Sequence, residues 1–123
     1  MADNTITIAG NLTDEPKLQT TPGGTDVAHF TVAVTERRRD GDTWKDGETS
    51  FIRCTVWREP AANAAESLSK GDRVLVTGRI RQRSWQTEDG EKRSSIEVDV
   101  DELGASLKWG RVEVQRTRRS EDS

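Results

Sequence analysis

Arg79, Arg81 and Arg83 recur at every second position and lead into Trp85. A strand sends successive side chains to opposite faces, so on a strand these four groups share one side. Val74, Val76, Gly78 and Ile80, at the even positions of the same stretch, are apolar or small and point the other way, toward a core. A surface built only for solubility would interleave acids and would not carry a Trp. Guanidinium groups take phosphates, and a flat ring stacks on a base. The implied chemistry is capture of a polyanion whose units carry stackable rings.

The same pairing of residue types recurs upstream. In FIRCTVWR (51–58), Ile52, Cys54 and Val56 form one apolar face, while Phe51, Arg53 and Trp57 form the other. Half-buried sheet packing is the alternative role for those two rings. Arg37-Arg38-Arg39 and Trp44 lie in the polar stretch 35–50, and Lys92 and Arg93 follow the Gly90 turn. The triple Arg is either a solvated charge run or a set of phosphate contacts. Trp44 suits a ring resting on its own hairpin as well as it suits a ligand role.

Other chemistries find little support. One Cys and one His supply no metal-ligand cluster, and no Ser/His/Asp set or Gly-rich phosphate loop is present. His29 reads as a packing or interface residue and Cys54 as a small buried hydrophobe. Glu97, Asp99 and Asp101 share a strand face and could in principle hold Mg²⁺ for a nuclease. Cross-strand pairing with Arg79 and Arg81 accounts for them more simply. No cofactor is expected.

These groups need strands to position them. Asn4–Leu12 alternates, with Ile6 and Ile8 on one face, and Gly10-Asn11 breaks it. Residues 14–26 read as loop, and Val27–Val34 as a second strand with Phe30, Val32 and Val34 inward. Residues 35–50 read as a long hairpin loop, and Phe51–Arg58 as the third strand. Pro60 opens a helix of about three turns, with Ala61, Ala64, Ala65 and Leu68 on one stripe and Lys70-Gly71 as its stop. Arg73–Trp85 is the fourth strand. The fifth, SIEVDVDEL, turns Ile96, Val98 and Val100 inward. A three-residue turn Glu88-Asp89-Gly90, with Gly90 left-handed, sets Arg81 opposite Glu97 and Arg79 opposite Asp99. Leu107 with Trp109, and Val112 with Val114, suggest one more strand or strand pair, with a charged tail predicted to be disordered from Arg116 onward.

Five strands with a helix between the third and fourth is the layout of an all-β OB-fold, a Greek-key barrel, here with an extra C-terminal strand. Length allows one domain with a small core. We expect the barrel to span residues 1–110 and the strand extension and tail 111–123. Hydrophobic content of 31% against 33% charged, with a mean hydropathy of -0.84, suggests that burial is completed by oligomerisation. Net charge is -3, which argues mildly against nucleic acid when taken globally. The acids, however, concentrate in loops and on the fifth strand. No apolar run is long enough to span a membrane, no secretory signal is evident, and a single Cys suits a reducing, cytoplasmic setting.

Several segments, in this order and spacing, carry a resemblance: GNLTDEP (10–16), FTVAV (30–34), KGDRVLVTGRI (70–80) and RQRSW (81–85). Together they resemble the bacterial single-stranded-DNA-binding protein family. WKDGE (44–48), FIRCTVWRE (51–59) and GEKRSSIEVDVDELG (90–104) are similar to its actinobacterial branch. The resemblance implies sequence-independent binding of single-stranded DNA in replication, recombination or repair, in a nucleoid-associated setting. It also implies a homotetramer in which the C-terminal strand clasps a neighbour. The family's stacking aromatics fall on Phe51, Trp57 and Trp85. One more falls on Arg38, a departure for which Trp44 is the candidate substitute. The chain ends SEDS, without the family's Gly-rich linker and acidic Pro-Phe tip, which puts partner recruitment through such a tip in doubt. The rivals are an OB module for RNA or tRNA and the Mg²⁺ nuclease above.

Overall fold

Alternation at period two dictates most of the fold, and the computed structural model, which describes residues 4–117, forms six strands and one helix. They run β1 (Thr5–Leu12), β2 (Lys17–Thr20), β3 (Asp26–Asp40), β4 (Thr43–Trp57), α1 (Glu59–Ser67), β5 (Arg73–Gln86) and β6 (Lys92–Ala105). Five of them close into a ring. β1 pairs with β5 along most of its length and with β3 at Asn11–Leu12. β3 pairs with β4, β4 runs parallel to β6 at 53–55 against 97–99, and β6 returns antiparallel to β5. This is the expected five-stranded barrel with its helix between the third and fourth barrel strands.

The inward parities fill the barrel. Ile8, Phe30, Val32, Cys54, Val56, Val74, Val76 and Val98 are buried together. α1 lays Ala61 and Ala64 over this core, and Leu68 closes behind them. Two glycines permit the closure. A Cβ at Gly10 would strike the Ala33 carbonyl where β1 crosses to β3, and one at Gly78 would strike the Asp99 carbonyl beside the β5–β6 register shift. The β5–β6 turn forms as predicted, with Gly90 at φ 87 and the Thr87 carbonyl accepting from the Gly90 amide.

Four expectations need correction. Residues 35–50 are not a loop. They extend β3 and β4 into one continuous hairpin that turns at Gly41 (φ 66), with a register shift near Glu36. The ladder continues there because Arg37–Asp40 and Thr43–Asp46 still pair their backbones, although no core lies beneath them. Residues 17–20, read as loop, form the short edge strand β2 against Val27–His29 and Asp26. Ile80 and Ile96 share the inward parity but are exposed: Ile80 sits at the barrel rim, where β1 starts and the Ile80 amide donates to the Asn4 carbonyl, and Ile96 lies past that rim on the β5–β6 hairpin. Finally, residues 106–117 form no strand in the single chain. The last ladder bond runs from the Ser106 amide to the Arg73 carbonyl, and beyond it Leu107, Trp109, Val112 and Val114 stay exposed with no edge to pair with. The tail beyond Thr117 lies outside the described residues.

Candidate nucleic-acid interface

Parity on β4 decides which side chains leave the barrel, except at Thr55, which has the outward parity but is buried against His29. Cys54 and Val56 are buried, whereas Phe51, Arg53 and Trp57 are exposed, the two rings at 68% and 45%. Trp57 lies six positions along the strand from Phe51, a span of roughly 20 Å. The rings therefore mark out a track along the barrel surface rather than one cluster.

Parallel pairing of β4 with β6 sets a cross-strand row on this surface. Thr31 faces Arg53, Arg53 faces Glu97, and Glu97 faces Arg81. The adjacent row runs His29, Thr55, Asp99, Arg79. The expected register of Arg81 opposite Glu97 and Arg79 opposite Asp99 is present. The side chains lean one step further. Arg79 Nε lies 3.6 Å from Asp101, so its ion pair is with Asp101 and not with the Asp99 it faces. Arg81 lies 3.6 Å from Glu97 and 3.4 Å from Asp99, and Arg83 lies 3.7 Å from Glu97. The three carboxylates offered above as Mg²⁺ ligands are thus held by arginines.

The same register sends both long hairpins off one end of the barrel. On the β5–β6 arm, Trp85 is 44% exposed, with the Arg83 guanidinium 5.9 Å from its ring centre and Arg93 opposite it in the ladder. Lys92 faces Gln86 next to that pair, and Arg93 also contacts Glu91 at 3.0 Å. On the β3–β4 arm, Trp44 is exposed and faces Arg39, with the Arg37 and Arg39 guanidiniums 5.9 and 6.0 Å from its ring centre. Its company is cationic rather than apolar. Arg37 also pairs with Asp46 at 3.5 Å and Arg38 with Glu36 at 3.3 Å.

The candidate site residues therefore fall into three groups. Trp44 and Arg37–Arg39 sit on one arm, Trp85, Arg83, Lys92 and Arg93 on the other, and Phe51, Arg53, Trp57, Arg79 and Arg81 on the barrel between and below them. The reading from sequence overlooked that Glu97 is buried, at 4% exposure. Its position between arginines on both flanks depends on the β4–β6 pairing, which no local pattern reveals. It also overlooked Arg58, which follows Trp57 and adopts φ 68, ψ -143 at the helix start. Residues rarely adopt that region unless they are glycine.

A closed five-stranded barrel with a capping helix and an outer track of rings and guanidiniums defines an oligonucleotide-binding fold. The family model described as the Single-strand binding protein family matches residues 3–106, and the chain belongs to that family. It is 54% identical over 120 residues to the single-stranded DNA-binding protein of Mycolicibacterium smegmatis, spanning 96% of this chain and 73% of that one. The counterpart from Mycobacterium tuberculosis H37Rv is 56% identical over the same shares of each chain. Among solved structures, the small single-stranded DNA-binding protein from Streptomyces coelicolor superposes with a TM-score of 0.80 at 34% identity, covering 89% of this chain and all of that one.

Proposed function

We propose that this chain binds single-stranded DNA without regard to sequence and without catalysing a reaction on it. The observation that carries the reading is the outward display of Phe51, Trp57 and Trp85 beside Arg53, Arg79, Arg81 and Arg83 on a closed barrel. The rings stack on bases and the cations neutralise phosphates, with Arg37, Arg38, Arg39, Lys92 and Arg93 extending the cationic track onto the arms. Neither interaction reads base edges, so every sequence is accepted. A duplex hides its ring faces and gains only the phosphate part.

Exposed Leu75, Leu107 and Trp109 favour a homo-oligomer, a tetramer in which residues beyond Ala105 pair with a neighbour's edge. Such an assembly would serve replication, recombination or repair of nucleoid DNA. No helix among the described residues is long and apolar enough to cross a membrane.

The test is a gel-shift comparison of single- and double-stranded oligonucleotides across a salt series. Single strands should bind preferentially, with log affinity falling at a slope of about -0.7 per phosphate contact. Equal retention of duplex, or preference for an equal-length rU strand over dT, overturns the reading. Light scattering at micromolar concentration should give a multiple of the chain mass, and a monomer mass refutes the oligomer.

A further inference from the structure

Resting on the reading of this surface as a single-strand track, we infer that the acid row of β6, with Glu97 at its centre, sets the discrimination between single strands and duplex. The arginines of β5 do not stand free. Arg79 is held by Asp101, Arg81 by Glu97 and Asp99, and Arg83 by Glu97. Glu97 is the one buried acid among the described residues. A carboxylate in that position is tolerated where cations cap it. It has two caps in Arg81 and Arg83, and Arg53 faces it from the other flank. These carboxylates are resident competitors for phosphate.

Any polyanion that approaches must share the guanidiniums with them or displace them. What the acid row subtracts is electrostatic gain, and it subtracts most from a stiff duplex (persistence length about 50 nm), whose phosphates cannot turn away from the carboxylates as those of a single strand can. Duplex DNA, with one charge per roughly 1.7 Å of axis, depends on that gain almost entirely. A single strand also stacks its bases on Phe51, Trp57 and Trp85, and the acid row leaves that contribution untouched. A cationic strand without the acids would hold both forms. The acids let ring stacking decide.

Two substitutions test this in the full chain. Glu97→Gln keeps the side chain's size and removes its charge. Asp101→Asn removes the half-exposed partner of Arg79 and leaves the interior alone, so it decides the matter should the Gln variant unfold. Fluorescence anisotropy would follow an oligo-dT strand and a blunt duplex of equal length across a salt series. Each variant should raise duplex affinity about ten-fold while changing single-strand affinity less than about three-fold, and the duplex salt slope should steepen by about 0.9 per phosphate newly engaged. Variants that leave duplex binding unchanged, or that raise both affinities in parallel, overturn the inference alone. A wild-type chain that fails to retain oligo-dT overturns the single-strand reading and this inference with it.

Discussion

His29 Nδ1 lies 3.2 Å from Thr55 Oγ1 across the β3–β4 ladder. Thr55 is buried, and burial is the main force that lowers the imidazole below its ordinary value of 6.5. Arg53 and, more weakly, Arg83 push in the same direction, and Glu97 opposes them. A base whose folded pKa is depressed contributes stability that is fully present above its unfolded pKa and is lost as pH falls below it. Urea unfolding at about pH 7.5 and about pH 5.5 should therefore show wild type losing more stability than His29→Gln. Equal losses would mean that His29 is not held neutral by the fold.

Trp85 and Trp44 are both exposed indoles, but their surroundings differ. The Trp44 ring has two guanidiniums close to it, and Trp85 has one. Trp85→Ala should weaken oligo-dT binding by roughly 5- to 150-fold at fixed salt, the equivalent of about 1–3 kcal/mol of stacking. Trp44→Ala should cost less, because the Arg37 and Arg39 guanidiniums near its ring must give way before a base can stack there. Fluorescence titration of each variant, with circular dichroism to confirm the fold, separates the two.

Gly78 is a packing requirement with no role in binding. A Cβ there runs into the Asp99 carbonyl and the Val98 side chain, and neither is a flexible tip that can swing aside. Gly78→Ala should destabilise the barrel by about 1–3 kcal/mol, read as a lower denaturation midpoint. An unchanged midpoint would show that the barrel corner yields easily.

Burial pushes the Cys54 thiol up to about 12, and its Sγ lies in the core between β3 and β6. The native chain should not react with a thiol reagent at about pH 8, where an ordinary thiol is partly ionised. Denaturant should release one equivalent. Rapid labelling of the folded protein would contradict the buried placement.

Period-two alternation made the barrel legible, because the inward residues of β3, β4 and β5 are small or apolar, most of them β-branched, and alternate with polar or aromatic outward neighbours. It also placed Phe51, Arg53, Trp57 and Trp85 on outward faces. Alternation could not say where a strand leaves its core. Ile80 and Ile96 keep the parity of Val76 and Val98 yet are exposed, Ile80 at the barrel rim and Ile96 on the projecting arm. Polar residues 35–50 hid a ladder held by backbone pairing and by surface side-chain pairs such as Arg37–Asp46 and Arg37–Trp44, with no apolar core. The Arg81–Glu97 register followed from the turn at Gly90, but the burial of Glu97 did not, since it depends on a parallel neighbour distant in sequence. Residues 106–117 carry strand-like alternation, and alternation alone does not supply an edge to pair with.

Both long hairpins spring from one rim of the barrel, and neither has interior packing past that rim. Their shape is therefore cheap to alter, while the ring of strands that anchors them is not. On the proposed single-strand reading, a filament laid along the barrel wall meets the anchored ring of strands first and the two arms beyond it. The arms can change shape at little cost to the core.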